Sequence, residues 1–153
     1  MAIALPQPVI ADDLEELTAF LTVADLTLSG LDSATVHLWI VRAEEGQIIG
    51  STGYEVSGSG EDVLIRSVAV DPTLRARGSG QQLAQFALDR ATEAGAGRAW
   101  LFSRRSGPFW QRLGFEAADR DELARVLAST QQVKLFTATG QLDREVAWSR
   151  PLP

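Results

Sequence analysis

The sequence predicts an α/β fold: one domain on a mixed α+β sheet, with an antiparallel meander followed by a βαβ unit. Two observations predict it. Three apolar, β-branched runs lie between Val36 and Val70 with only short turns between them, and short turns join antiparallel strands. Directly afterwards an apolar stripe at helical spacing (Leu83, Phe86, Ala87, Ala91, Ala94) leads into a short apolar run, Ala99 to Ser103. A strand–helix–strand step of that kind makes a parallel pair. A length of 153 residues suits one domain with one core.

The elements follow in order. Asp12, with Glu15 three residues on, caps a helix over Ala11 to Ala24, whose Leu14, Leu17, Leu21 and Ala24 recur at helical spacing. Asp25 to Asp32 reads as a short second helix or a loop. Val36 to Arg42, Gln47 to Val56 and Asp62 to Val70 are strands, separated by Ala43-Glu44-Glu45-Gly46 and by the turn Ser57-Gly58-Ser59-Gly60. The long helix runs from Ser79 to Ala94 and stops at Gly95. After the Ala99 to Ser103 strand, Ser106 opens another helix, with Pro108 in its first turn and Gly114 just past its end. Asp121 to Ser129 is expected to be helical, and Val133 to Thr137 and Val146 to Trp148 are expected to be strands.

Composition removes several function classes. The chain is 45% hydrophobic and 22% charged, enough apolar surface to fold. Its net charge of −6 argues against nucleic acid as a partner, because such binding depends on neutralising phosphates. There is no cysteine and one histidine, His37, so thiolate chemistry and a His-rich metal site are excluded and no metal is expected. No apolar run approaches the ~20 residues of a membrane span, and Met1 to Ile10 lacks the features of a signal peptide. A cytoplasmic location without a membrane partner is the expectation.

The chemistry is carried by Ser67-Val68-Ala69-Val70-Asp71-Pro72-Thr73-Leu74-Arg75-Ala76-Arg77-Gly78-Ser79-Gly80-Gln81-Gln82-Leu83. A strand runs into a turn, two arginines and two glycines follow, and a helix begins. The N–H groups that open a helix lack intrahelical partners and carry a partial positive charge. Glycine lets a phosphate approach the backbone, and arginine adds charge-assisted hydrogen bonds. Together they make an anion site suited to a diphosphate. A dinucleotide fold would need a third glycine where Leu83 stands, and a P-loop would need Gly-Lys-Ser or Gly-Lys-Thr, which does not occur.

The pattern Arg-x-x-Gly-x-Gly after Val-Asp-Pro resembles the coenzyme A loop of the GNAT N-acetyltransferase superfamily. Gly107-Pro108-Phe109-Trp110-Gln111-Arg112-Leu113-Gly114-Phe115-Glu116 is similar to the helix and turn after that superfamily's fifth strand, usually F-Y-x-x-x-G-F. The resemblance covers about Leu14 to Glu116. More narrowly, Gly53-Tyr54-Glu55, Leu64 to Ser67 and the stretch from Glu122 to Gln132 look similar to small acetyltransferases associated with arsenic-resistance operons.

The resemblance implies a GNAT-like fold whose central strands splay, with acetyl-CoA as co-substrate. Val68, Ala69 and Val70 would bind the pantetheine arm, and the Val70 N–H would polarise the thioester oxygen. Arg75, Ala76, Arg77, Gly78, Ser79, Gly80 and Gln81 would hold the diphosphate. Transfer to the amine of a small-molecule acceptor, an amino acid or analogue among the candidates, would be direct. The usual Tyr proton donor is replaced by Trp110, whose indole cannot serve, so Ser103, Ser106 and Tyr54 are the alternatives. Glu55 is the candidate general base. Arg66 and Ser67 are candidate acceptor-binding residues, Arg66 through a carboxylate or oxyanion. Arg104 and Arg105 suit either a solvated loop or a ligand phosphate. The rival readings are a non-catalytic acyl-CoA sensor, which Trp110 motivates, and an interaction domain dimeric through the C-terminal strands; a homodimer is among the expected partners.

Overall fold

The computed structural model describes residues 5–73 and 78–153. Arg75, Ala76 and Arg77 therefore lie outside the described residues. Strands β1 (Gln7–Pro8), β2 (Val36–Arg42), β3 (Ile48–Val56), β4 (Asp62–Val70), β5 (Arg98–Phe102), β6 (Glu116–Ala118) and β7 (Ala147–Pro151) form one sheet in the order β1-β2-β3-β4-β5-β7-β6. The β1–β4 meander is antiparallel, as its short turns require, and the β4–β5 pair is parallel. Helices α1 (Leu14–Val23), α2 (Ser79–Glu93), α3 (Gly107–Arg112), α4 (Arg120–Val126) and α5 (Gln131–Thr139) cover its faces. The mixed α/β class and the βαβ step match the expectation.

Alternation along β4 assigns the two faces. Val63 and Ile65 pack with α2 residues Ala84, Ala87 and Leu88 and with Trp110 of α3. Leu64 points the other way, into a cluster with Trp100, Leu123 of α4 and Val133 of α5. Helix α1 inserts Leu17 and Leu21 on that second face, against Leu38, Ile40 and Ala69. At its C-terminus Asp25 takes φ +58, its N–H donates to Thr22 O and the Leu26 N–H donates to Leu21 O. This left-handed cap turns the chain sharply, and aspartate tolerates it better than most residues.

The other end of α1 is tied down electrostatically. Arg42 donates to Asp13 at 2.8 Å and to Glu16 at 2.7 Å. The Asp13 carboxyl is held below the usual range by the Ile10 N–H and by Arg42, and that of Glu16 by Arg42 and the Ile48 N–H. A depressed carboxyl pKa adds stability above the unfolded value, about pH 4, and loses it as pH falls through the folded value. Arg42→Met is expected to raise both pKa values toward normal and to flatten that acid-side loss. Carboxyl NMR titration of wild type and variant checks this.

One expected strand is a helix. Val133 to Thr137 lies inside α5, because the Thr130 hydroxyl accepts from the Val133 N–H and caps the helix start, while Gly140 ends it at φ +77. Val133 and Phe136 are buried one turn apart, whereas a half-buried strand would bury alternate residues. Asp25 to Asp32 forms turns without a second helix, and strand β6 was not anticipated.

Candidate functional site

Strands β4 and β5 pair over only three residues: Asp62 with Arg98, Val63 with Ala99 and Leu64 with Trp100. Beyond Leu64 they diverge. A cavity of 760 Å³ lies where they part, lined by β4 from Ile65 to Val70, the end of β5, the starts of α2 and α3, the turn after α1, and Gln132 of α5.

A bulge on β4 shapes its wall. Gly53 faces Arg66 and Ser51 faces Ala69, so β4 carries one residue more than β3 in this interval. The extra residue is taken up at Ser67, whose φ is +60. A non-glycine residue there is strained unless its surroundings hold it. Here the Ser51 hydroxyl donates to Ser67 O at 2.6 Å and Arg66 Nε donates to the Ser67 hydroxyl at 3.3 Å, both in buried positions. The bulge shifts the alternation, so that Val68 and Val70 pack toward α2 and Ala69 toward α1. The Asp71 N–H donates to Ile49 O on β3. Alternation therefore turns the backbone groups of Val70 and Val68 away from β3, onto the edge that β5 has left open.

At one end of the cavity α2 begins. Gly78 is its N-cap at φ +74, with no side-chain cap hydrogen bond. A serine or aspartate cap would occupy the first N–H groups, whereas glycine leaves them directed outward. Gly78, Gly80 and Gln81 line the cavity, and Ser79 is buried beside them. The charged side chains of the described lining are Arg66, Arg105, Arg112 and Asp25. The site is thus cationic in a chain of net charge −6, and it suits an anionic ligand. Arg105 donates to Asp25 across the rim at 3.0 Å. Arg104 points elsewhere and pairs with Glu145 at 3.4 Å.

Ser103 and Ser106 both line the cavity, in different states. The Ser103 hydroxyl accepts from the Ser106 N–H at 3.1 Å, so Ser103 caps the turn into α3. The Ser106 hydroxyl makes no cap hydrogen bond and is exposed. Trp110 also lines the wall, held edge-on by Phe109 and Phe115. Tyr54 does not reach the cavity. It lies in the α2-side core against His37 and Trp39, where burial pushes its phenol above its ordinary pKa.

Arg66 and Glu55 form a buried pair, each side chain 0% exposed, with Nη1 to Oε1 at 3.4 Å. Burial pushes the Arg66 pKa down, and the charge and hydrogen bond of Glu55 act against that. Arg66 lines the cavity and Glu55 does not. The other Glu55 oxygen accepts from the Gln131 N–H at 2.6 Å and from the Thr35 hydroxyl at 3.4 Å. The expected general base is thus placed behind Arg66, bracing it against the start of α5. The structure brings Arg66, Ser67, Val68, Ala69, Val70, Gly78, Gly80, Gln81, Ser103 and Ser106 around one cavity. Sequence reading missed Gln132. The cap at Thr130 and the stop at Gly140 are the signals that place it on a helix.

Comparison with known proteins agrees with this geometry. The model of the acetyltransferase (GNAT) family matches residues 9–115, more than half of the chain. The Escherichia coli (strain K12) protein described as uncharacterized N-acetyltransferase YjgM is 31% identical over 107 residues, which span 64% of this chain and 64% of that one. Among solved structures, N-acetylglutamate synthase from Neisseria gonorrhoeae, complexed with coenzyme A and N-acetyl-glutamate, superposes with a TM-score of 0.75 at 19% identity. That match covers 98% of this chain and 36% of the synthase. Rv2747 from Mycobacterium tuberculosis, also solved with CoA, gives a TM-score of 0.76 at 17% identity, covering 98% of this chain and 100% of that one. At these identities the solved structures speak for the fold, and the family match goes further: the chain belongs to the acetyltransferase (GNAT) family.

Proposed function

We propose that the protein is an acetyl-CoA-dependent N-acetyltransferase that moves an acetyl group directly onto the amine of a small-molecule acceptor. The observation that carries this reading is the parting of β4 from β5 beside an uncapped, glycine-led helix start. The open edge of β4 offers Val68 and Val70 backbone groups to an extended amide-bearing chain, which suits a pantetheine arm. The N–H groups from Gly78 to Gln81 suit a diphosphate, with Arg75 and Arg77 the expected side-chain partners. Two relatives in fold were solved with coenzyme A, which supports the choice of this cofactor.

Acetyl-CoA supplies an activated thioester carbonyl. The amine nitrogen bonds to the acyl carbon, the carbon–sulfur bond breaks, the nitrogen sheds a proton and the sulfur takes one up. The Val70 N–H is directed at the cavity, where it stabilises negative charge developing on the acyl oxygen. Ser106, which makes no side-chain cap hydrogen bond, would pass a proton to sulfur, and Ser103 holds the turn that carries it. With Glu55 behind the wall, the acceptor amine loses its proton to water.

Thiol release from acetyl-CoA with a panel of small amines tests the reading. Turnover is expected from the wild type. Ser106→Ala is expected to lower kcat by roughly 10²-fold with unchanged acetyl-CoA affinity, and Ser103→Ala by less. Binding of acetyl-CoA without thiol release from any amine would favour the sensor reading that Trp110 motivates.

A further inference from the structure

Two residues that line the cavity each carry a buried polar atom without a partner among the described residues, and the two atoms are complementary. Arg66 donates through Nε to the Ser67 hydroxyl and through Nη1 to Glu55. Its Nη2 has no hydrogen-bond partner among the described residues, although the side chain is 0% exposed. Gln132, one residue into α5, also lines the cavity, and its buried Oε1 has no partner among the described residues either. A guanidinium N–H is a donor only, and an amide oxygen is an acceptor only. Leaving either buried and unpaired costs free energy, which a ligand bearing the matching groups recovers.

Glu55 joins the two segments that carry these atoms. One of its oxygens accepts from Arg66 and the other from the Gln131 N–H, so a single buried carboxylate ties the donor on β4 to the helix that carries the acceptor. Glu55 already neutralises one charge's worth of Arg66. A bound carboxylate therefore brings the trio to a net −1, and an acceptor that also carries an ammonium group returns it to zero. Preorganised groups of this kind discriminate strongly, because a ligand lacking the matching atom leaves them desolvated and unpaired.

We propose that Arg66 Nη2 and Gln132 Oε1 together recognise the acceptor, the first through a carboxylate and the second through an N–H, so that the acceptor is an amino acid. This rests on the acetyltransferase reading above. Glu55 is then a positioning residue: it touches no reactant, and it holds Arg66 on β4 and the start of the helix that carries Gln132.

The test is steady-state kinetics of the full chain at saturating acetyl-CoA, with amino acids run against their decarboxylated amines and their carboxamides. At least one amino acid is expected to exceed both of its partners by roughly 10²-fold or more in kcat/KM. Gln132→Met, of similar length but lacking the acceptor oxygen, is expected to raise the KM for that amino acid at least tenfold while acetyl-CoA affinity by calorimetry stays unchanged. It leaves the Arg66–Glu55 pair intact, so it remains informative even if an Arg66 variant does not fold. Decarboxylated amines acetylated as well as their amino acids, or a Gln132→Met variant with unaltered KM, would overturn the proposal and leave the acetyltransferase reading standing. Acetyl-CoA binding without acetylation of any amine would overturn both.

Discussion

Glu55→Ala is expected to lower the folding free energy by roughly 3–5 kcal/mol, measured by urea unfolding at neutral pH. The cost comes from what remains behind. Arg66 is fully buried, and Glu55 is the counter-charge in contact with it. Truncation strands the guanidinium and removes the acceptor of the Gln131 N–H at the start of α5. The same reasoning gives a contrasting result for the pair. Glu55→Leu combined with Arg66→Met removes both charges and is expected to recover most of the lost stability, because a buried ion pair stabilises little relative to apolar groups of similar volume. The double variant would then fold and lose the acceptor site, which separates the pair's role in binding from its role in stability. Equal destabilisation by the single and double variants would show that Glu55 matters through Gln131 and Thr35 alone.

Gly78→Asp is expected to weaken acetyl-CoA binding by about 10²-fold or more while leaving the fold intact. A Cβ at Gly78 would meet nothing within 4 Å among the described residues. The backbone sits at φ +74, and aspartate is among the residues that tolerate the left-handed region. Its carboxylate would stand at the positive end of α2, which the helix dipole favours and which offsets part of the backbone strain. The harm falls on the ligand: the new carboxylate occupies the N–H groups assigned to the diphosphate and repels it. A 10²-fold loss corresponds to about 2.7 kcal/mol, within the several kcal/mol that like charges cost at close quarters. Calorimetry for affinity and thermal unfolding for stability separate the two effects. A variant with wild-type affinity would place the diphosphate elsewhere.

The glycine-led end of the cavity was legible in the sequence because its physics is local. A strand, two arginines, two glycines and a helix start follow one another along the chain, and the structure sets Gly78, Gly80 and Gln81 on the cavity as that order implies. The meander was legible for a similar reason, since short turns leave only one way to pair the strands. The end lined by Arg66 and Gln132 was not. Nothing in Arg66-Ser67-Val68 marks a bulge, because the left-handed turn at Ser67 is held by a hydroxyl on the neighbouring strand, at Ser51. Glu55 has the residue type of a base, and its actual use depends on a helix start 76 residues away. Gln132 was hidden by the assignment of the following residues to a strand. Val133, Leu135 and Thr137 alternate like a strand over so short a run, and only the cap at Thr130 and the stop at Gly140 decide for a helix. The narrower likeness to arsenic-operon acetyltransferases rests on the sequence alone.

The central claim is that the gap between β4 and β5 is built to receive acetyl-CoA. Isothermal titration of the full chain with acetyl-CoA tests it most directly. Saturable one-to-one binding is expected, weakened by Gly78→Asp and unchanged by Gln132→Met. No binding up to hundreds of micromolar acetyl-CoA, or binding indifferent to Gly78→Asp, would contradict it.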